Sequence, residues 1–310
     1  MIYTCTFTPS LDYTTFLSDF KTGQLNRSNE VFYYPGGKGI NVSRVLKRLG
    51  VNNIALGFAG GFTGNYIEQF LMKEGIHTDF IQTDEITRIN VKIKASEETE
   101  LNGPGPVINT QQQNVLLDKI KTMKQGDWFV LAGSLPESIP DTFFMEIAST
   151  CNDKDVHFVL DTSGPALKKL VLKKPFLIKP NEHELGELFE TIITTKEEAC
   201  HYAKKLVDIG VQNVVVSMGK EGALLVTKNL VVSAEVPKGK VVNTVGAGDS
   251  LVSGFIASFI KNQDVIMAFR YGVASGSATA FQSDLCEKSD VEALVEQVII
   301  HPIHEQDVTK

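Results

Sequence analysis

Short runs of consecutive apolar residues recur along the chain, separated by longer amphipathic stretches. The runs are Phe129-Val130-Leu131, Phe158-Val159-Leu160, Phe176-Leu177-Ile178 and Val214-Val215-Val216. Runs that are apolar throughout are typical of strands buried on both faces of a parallel sheet. The stretches 111–123, 140–151, 182–189 and 195–209 have the length and periodicity of helices. This alternation predicts an α/β protein with a three-layer αβα fold, a mainly parallel central sheet and right-handed crossovers.

Two segments depart from this pattern. Residues 11–35 and about 86–105 are rich in Thr, Asn, Ser and charge, and Ile89, Val91 and Ile93 alternate with polar positions. They predict strands of a small accessory sheet, which near a cleft would act as a lid. Because the sequence shows no repeat and no long linker, we expect residues 1–310 to form a single domain with these lid segments inserted in it.

The candidate chemistry lies where the predicted strands end. Gly133-Ser134, Asp161, Lys179-Pro180-Asn181 and Ser217-Met218-Gly219 each follow an apolar run. Ligands of open α/β sheets bind at the carboxyl ends of the strands. These segments are therefore expected to converge on one site.

A glycine-containing turn stands before a long apolar segment. Asn243-Thr244-Val245-Gly246-Ala247-Gly248-Asp249-Ser250 leads into residues 251–260, which read as a buried helix. The unpaired amides of a helix start attract anions. A carboxylate placed there, Asp249, is suited to take a proton from a hydroxyl beside a phosphate. The alternative is a tight turn in which Asp249 only caps its helix.

Two further motifs bring cations and amides together. Pro35-Gly36-Gly37-Lys38-Gly39-Ile40-Asn41 precedes an amphipathic helix and lacks the GxxxxGK[ST] spacing of a P-loop, so it reads either as a ligand-binding loop or as a flexible helix entry. Thr87-Arg88-Ile89-Asn90-Val91-Lys92 puts Arg88, Asn90 and Lys92 on one strand face. That face suits a phosphate or sugar hydroxyls, or it is the solvated side of an edge strand.

The remaining two motifs also have two interpretations. In Lys179-Pro180-Asn181-Glu182-His183-Glu184, Glu184 could hold Mg²⁺ through water, or Asn181 and Glu184 could form a capping box. Ser217-Met218-Gly219-Lys220-Glu221-Gly222 could receive nucleotide phosphates or could be a plain hairpin turn.

Composition narrows the class of partner. The chain has 310 residues and a net charge of −7, with 43% hydrophobic and 22% charged residues. The acidic balance argues against wholesale binding to nucleic acid or an anionic membrane. No apolar run reaches the length of a membrane span, and the start lacks the features of a signal peptide. The four scattered cysteines lack metal-ligand spacing, which together with the missing leader predicts a cytoplasmic location.

Taken together and in this order, the motifs resemble those of the PfkB, or ribokinase-like, family of ATP-dependent sugar kinases. Gly36-Gly37-Lys38-Gly39-Ile40-Asn41-Val42 and Thr244-Val245-Gly246-Ala247-Gly248-Asp249 match its two signatures. Thr8-Pro9-Ser10-Leu11-Asp12, Leu25-Asn26-Arg27, Thr87-Arg88-Ile89-Asn90 and Ala132-Gly133-Ser134-Leu135-Pro136 resemble its phosphosugar branch. Asn243 stands where the broad family has Asp, a departure that is common in this branch.

The resemblance implies a ribokinase-like fold and a role for each motif. Asp249 would be the general base, and the amides of Gly246, Ala247 and Gly248 would stabilise the transferring phosphoryl group. Asp12, Gly37 and Asn41 would hold sugar hydroxyls, and Arg27, Lys38 and Arg88 would meet the phosphate that the substrate already carries. The ATP site would be lined by Lys179, Asn181, Ser217, Gly219 and Gly222, with Glu184 acting on Mg²⁺ through water.

The implied reaction is the ATP-dependent phosphorylation of fructose 1-phosphate to fructose 1,6-bisphosphate. Two alternatives remain open: tagatose 6-phosphate as the substrate, or a catalytically idle phosphosugar sensor. The intact Gly246-Ala247-Gly248-Asp249 favours an enzyme, because a sensor needs no base. An exposed lid sheet could also pair across a homodimer.

Overall fold

The computed structural model describes residues 1–303. Within them the strands are β1 Ile2–Thr6, β2 Ser10–Phe16, β3 Glu30–Gly36, β4 Ile54–Ala59, β5 His77–Gln82, β6 Ile89–Lys94, β7 Glu98–Asn102, β8 Trp128–Ala132, β9 His157–Asp161, β10 Leu177–Ile178, β11 Asn213–Ser217, β12 Ala223–Thr227, β13 Val231–Glu235 and β14 Ile299–Pro302. The helices are α1 Lys38–Arg48, α2 Gly61–Lys73, α3 Thr110–Lys121, α4 Asp141–Asp153, α5 Gly164–Leu170, α6 Glu182–Phe189, α7 Lys196–Asp208, α8 Ala247–Asn262, α9 Val265–Ala280 and α10 Lys288–Leu294.

The central sheet has the strand order β14-β13-β12-β11-β10-β9-β8-β1-β4-β5. Strands β5 to β11 in that order run parallel, whereas β12, β13 and β14 extend the sheet as antiparallel neighbours. The four apolar runs of the sequence lie in β8 to β11 and are almost fully buried. The prediction of a mainly parallel central sheet is thus confirmed, and the antiparallel edge is an addition to it.

Helices cover both faces of this sheet. On one face, α3 to α7 pack over a core that contains Phe7, Phe129 and Phe158. On the other face, α1, α8, α9 and α10 pack over a core that contains Val130, Val215 and Phe255. The three-layer prediction is confirmed. No helix among residues 1–303 combines the length and apolar character that a membrane crossing requires.

A second sheet of order β3-β2-β6-β7 contains the predicted accessory strands and is named the lid sheet below, while its role as a lid stays a prediction. Its strands come from the two predicted segments, and β2 pairs in parallel with β6, so that Asp12 lies beside Asn90. Asp12 and Asn90 face the central sheet, and their strand neighbours Leu11 and Ile89 point the other way. That the whole chain is one domain stays a prediction, and residues 304–310 of it lie outside the described part.

Close packing of α8 on α9 fixes the glycine turn that precedes α8. A Cβ atom built on Gly254 would lie 2.2 Å from Ser275 Oγ, and one on Gly276 would lie 3.0 Å from the carbonyl oxygen of Ala247. Only glycine permits this approach of the two helices. The start of α8 is therefore held rigidly against the rest of its layer.

Candidate active site

Two cavities meet at the carboxyl ends of the parallel strands. The lid pocket, of about 530 Å³, lies between the lid sheet and the first turns of α1 and α8. The hairpin pocket, of about 780 Å³, lies between the β11–β12 hairpin and the α8–α9 pair. Both cavities are lined by Ser217 and Gly248. A ligand in one can therefore reach a ligand in the other at this seam.

Asp249 lies in the first turn of α8, on the lid-pocket side of the seam. The turn before it requires Gly246, whose φ is 80° and whose Cβ, if present, would lie 2.5 Å from Leu285 Cδ2. Asp249 is 5% exposed, and its Oδ2 accepts a hydrogen bond of 2.8 Å from Asn41 Nδ2. Burial, reinforced by the nearby Asp161 carboxylate, raises the pKa of Asp249 to about 6. A carboxyl with this pKa is ionised at neutral pH and accepts a proton more readily than an ordinary aspartate.

Two lysines share one buried carboxylate beside Asp249. Lys38 Nζ lies 3.2 Å from Asp161 Oδ1, and Lys179 Nζ lies 3.5 Å from the same oxygen. The pKa of Lys38 is raised, chiefly by the negative charge of the nearby Asp161 carboxylate. Burial alone would raise the pKa of Asp161, but the ammonium groups of Lys179 and Lys38 outweigh it and lower that pKa. Lys38 and Asp161 are therefore both charged at neutral pH.

Asn181 and Glu184 form the capping box of α6. Asn181 Oδ1 accepts from the Glu184 amide at 2.7 Å, and Glu184 Oε2 accepts from the Asn181 amide at 2.9 Å. The other carboxylate oxygen, Oε1, lies 3.8 Å from Lys38 Nζ and faces the lid pocket. The capping interpretation is thus confirmed, and it leaves one oxygen free to receive a water molecule.

The residues present fit a metal that is held mainly by nucleotide phosphates. Among residues 1–303 no group of three or more His, Cys, Asp or Glu side chains could hold a metal ion by itself. Glu184 Oε1, which lies 3.8 Å from Lys38 Nζ, is a carboxylate oxygen of the lid pocket that the capping box does not use. One carboxylate acting through water, with the remaining ligands from phosphates, is an ordinary arrangement for Mg²⁺.

The lid supplies polar groups at the opposite end of the lid pocket. Asp12 Oδ1 accepts hydrogen bonds from Ser10 Oγ at 2.6 Å and from Asn90 Nδ2 at 3.2 Å. Lys92 Nζ lies 3.3 Å from Glu100 Oε1 and 3.8 Å from Asp12 Oδ2. These groups can bind sugar hydroxyls and an anion.

Arg88 also lines this end of the lid pocket, and its guanidinium is partly committed to the backbone. It donates to the carbonyl oxygens of Thr8 at 3.0 Å and Gly103 at 3.2 Å, and its buried Nε has no partner. Burial lowers the pKa of Arg88, which leaves it charged because an arginine titrates far above neutral pH. Arg88 is therefore a positive group that the backbone of Thr8 and Gly103 holds in place, and N–H donors of its guanidinium remain unused.

The hairpin pocket combines a turn with an apolar slot. The turn Gly219–Glu221 and Gly222 join β11 to β12, as a hairpin turn would. Residues of α9 and of the segment before α8 form the slot, among them Val236, Val273 and Phe281. A nucleotide base suits such a slot, and its phosphates would then lie towards Gly248.

Most predicted site residues line these two cavities. The lid pocket contains Asp12, Gly37, Lys38, Asn41, Arg88, Lys179, Asn181, Glu184, Ser217, Gly246, Gly248 and Asp249, and the hairpin pocket contains Ser217, Gly219, Gly222, Ala247 and Gly248. Arg27 lies exposed between β2 and β3 and lines neither cavity. Lys38 lines the lid pocket and pairs with Asp161, whereas Arg88 is tied to the backbone of Thr8 and Gly103.

The sequence motifs did not identify two features of the site. Asp161 ends a predicted strand, which marks its place at the site, but nothing in the sequence indicates that it pairs with Lys38 and Lys179. Glu100 and Asn102 line the lid pocket from β7, an exposed strand without an apolar signal.

Comparison with known proteins agrees with this geometry. A family model described as pfkB family carbohydrate kinase matches residues 6–291. The chain is 52% identical to a 1-phosphofructokinase of Bacillus subtilis, over 96% of this chain and 98% of the relative. It is 37% identical to a D-tagatose-1-phosphate kinase of Bacillus licheniformis, over 97% and 99%. The crystal structure of phosphofructokinase-2 from Escherichia coli in complex with fructose-6-phosphate superposes with a TM-score of 0.89 at 29% identity, covering 96% of this chain and 98% of that one.

Proposed function

The chain belongs to the pfkB family of carbohydrate kinases, and from that premise we propose that it transfers the γ-phosphate of ATP to fructose 1-phosphate, giving fructose 1,6-bisphosphate and ADP. The observation that carries this proposal is the position of Asp249, buried where the lid pocket meets the hairpin pocket. A base at that seam stands between a sugar hydroxyl on one side and a nucleotide on the other.

The chemistry follows from this placement. Asp249 takes the proton of the C6 hydroxyl, whose oxygen forms a bond to the γ-phosphorus while the bond to the β–γ bridging oxygen breaks and ADP leaves. The amides of Gly246, Ala247 and Gly248 lie at the start of α8, where the helix dipole favours negative charge. The Ala247 amide already donates to the carbonyl oxygen of Thr244 at 3.2 Å, so we assign the phosphoryl group to the amides of Gly246 and Gly248. Mg²⁺, held by the nucleotide phosphates and by water on Glu184, would neutralise charge on the β- and γ-phosphates.

We assign the cations differently from the sequence motifs. Lys38 and Lys179 lie beside Asp249 and would meet the transferring group, whereas Arg88 and Lys92 lie at the lid and would meet the phosphate at C1. Asp12 and Asn41 would bind sugar hydroxyls, and Gly37 allows the backbone to approach them. Ser217, Gly219 and Gly222 would line the nucleotide phosphates, with Asn181 holding Glu184 in place.

Tagatose 1-phosphate is the second candidate substrate, because the Bacillus licheniformis relative is a D-tagatose-1-phosphate kinase. The two sugars differ in configuration at one carbon and carry the same phosphate. Tagatose 6-phosphate stays an alternative with the phosphate at the other end of the sugar.

A coupled assay of ADP release tests the proposal. Values of kcat/KM are compared for fructose 1-phosphate, tagatose 1-phosphate, fructose 6-phosphate, tagatose 6-phosphate and free fructose. We expect fructose 1-phosphate to give the highest value and free fructose to be turned over poorly, because it has no phosphate for Arg88 and Lys92. If a tagatose phosphate gives the highest kcat/KM, that sugar becomes the proposed substrate. If no sugar is turned over, a phosphosugar sensor is favoured.

Pairing of two copies through the lid is a further part of the proposal. The outer lid face exposes Val31, Tyr33, Ile89 and Leu101, which a second lid would cover. Sedimentation velocity over a range of concentrations tests it: a monomer at all concentrations would contradict this pairing.

A further inference from the structure

Asp161 is a buried carboxylate that no ligand in either cavity would touch. It ends β9, is 1% exposed, and lines neither the lid pocket nor the hairpin pocket. Its Oδ1 faces the ammonium groups of Lys38 and Lys179, while its buried Oδ2 has no hydrogen-bond partner. Any effect of Asp161 on the reaction must therefore pass through the two lysines or through the action of its charge on Asp249.

The two lysines reach Asp161 from different elements of the fold. Lys38 comes from the first turn of α1, and Lys179 follows β10, the neighbour of β9 in the sheet. Lys179 is 5% exposed, so its charge requires an anion that is fixed in place. A Cβ atom on Gly248 would lie 3.0 Å from Lys179 Nζ, which puts that ammonium group over the turn shared by both cavities.

A lysine is a point charge on a flexible stem and goes to whichever anion holds it best. Lys38 also interacts with two other carboxylates, because Glu184 Oε1 is 3.8 Å away and the Asp249 carboxylate raises its pKa. If Lys38 paired directly with Asp249, the base would hold an ammonium group where it must accept the substrate proton. Asp161 offers Lys38 a shorter contact of 3.2 Å and so keeps it off the base.

We propose that Asp161 is a positioning residue, which anchors Lys38 and Lys179 as a pair of ammonium groups at the seam where the phosphoryl group crosses. The proposal rests on the proposed kinase reaction and names the device that holds its two cations. Charge develops on the transferring phosphoryl group, and cations that are already in place stabilise it without reorganisation.

The charge of Asp161 also affects the protonation of Asp249. The charged groups that face Asp249 are Lys38 from α1, Lys179 after β10 and Asp161 from β9, and Asn41 donates a hydrogen bond to it. The Asp161 charge raises the pKa of Asp249, and the two lysines lower it. Loss of the Asp161 charge leaves the lysines unopposed, so the pKa of Asp249 must fall.

The test is Asp161→Asn, which keeps the shape of the side chain and removes its charge. On the phosphosugar that the wild type turns over best, we expect kcat to fall on the order of 10²-fold, the scale of a lost transition-state donor. The KM for the phosphosugar should stay within about threefold, because the lid contacts are untouched. The acidic limb of the kcat–pH profile should move to lower pH, which a merely structural role would not produce.

Asp284→Asn is the matched control. Asp284 pairs with Arg44 and Arg48 of α1 and lines neither cavity, so this variant also removes an ion pair from α1. The acidic limb of the kcat–pH profile of Asp284→Asn should stay at the same pH as in the wild type. If the wild type is active and Asp161→Asn has the same kcat and the same acidic limb as the wild type, the inference is overturned. If the wild type itself is inactive on every phosphosugar, the proposed function is overturned instead.

Lys38→Met keeps the inference testable if Asp161→Asn does not fold. The Lys38 side chain is 36% exposed, so its replacement is compatible with folding. We expect a loss of kcat with little change in the KM for the phosphosugar. A raised KM with an unchanged kcat would place Lys38 at the resident phosphate and would contradict the anchoring of both lysines for the transferring group.

Discussion

Replacing Asp249 by Asn should lower kcat strongly. Between pH 5 and pH 7, the free energy of unfolding of the variant should also rise relative to that of the wild type. Asp249→Asn removes a carboxyl that is buried and whose pKa is about 6, well above the 3.8 of an unperturbed aspartate. The variant keeps an oxygen that can accept from Asn41 Nδ2, so the local hydrogen bond is retained. We expect kcat to fall on the order of 10²-fold or more, as for a lost acid–base group, with ATP binding preserved.

The effect on stability has a defined sign. Between pH 3.8 and about 6 the native state binds the Asp249 proton and the unfolded state does not, so the free energy of unfolding of the wild type falls as pH rises. With a native pKa of about 6, the wild type should lose on the order of 1 kcal/mol of its free energy of unfolding relative to Asp249→Asn between pH 5 and pH 7. Other titrating groups change both proteins alike and cancel in the difference.

The assay is urea unfolding of both proteins at pH 5, 6 and 7, alongside kcat and ATP binding. The difference in free energy of unfolding should grow with pH in favour of the variant. A difference that is constant with pH would refute the raised pKa of Asp249. Near-normal turnover in the folded variant would remove Asp249 from the mechanism.

Two further predictions concern the metal and the resident phosphate. Glu184→Gln should raise the Mg²⁺ concentration that gives the half-maximal rate, while its amide oxygen still accepts from the Asn181 amide. Glu184→Ala should raise that concentration too and should also lose about 0.5–2 kcal/mol of stability, because the capping contact is removed. Unchanged Mg²⁺ titrations in both variants would show that Glu184 is a capping residue only. Arg88→Ala should raise the KM for the phosphosugar about tenfold to a hundredfold, the worth of a charge-assisted contact, with a much smaller change in the KM for ATP. Equal changes in both KM values would show that Arg88 acts through its ties to Thr8 and Gly103.

The layered fold could be predicted because its evidence is local. Apolar runs such as Phe129-Val130-Leu131 report burial on both faces, and the stretches between them report helices. The hairpin interpretation of residues 217–222 allowed an antiparallel β12, but the antiparallel direction of β13 and β14 could not be predicted, since a short apolar run carries no information on its direction in the sheet.

At the site, the turns were predictable and the ion pairs were not. Gly246 and Asp249 form a local motif, and their position at a helix start follows from the sequence. Lys38 could be identified as a cation but not placed, because its partner Asp161 lies far away in the chain and meets it only through the order of the strands. Glu184 shows a different limit: one side chain both caps its helix and offers an oxygen to the seam, so two competing interpretations are compatible.

The parallel pairing of β2 with β6 has a consequence for how the protein folds. These strands belong to two insertions separated by α1, β4, α2 and β5, and the register of Leu11 with Ile89 can form only after those elements have brought the insertions together. Contacts between distant segments carry a high entropic cost of closure and form late. The lid sheet therefore cannot form as a unit ahead of the elements between its two insertions, and recovery of sugar binding during refolding should not precede their formation.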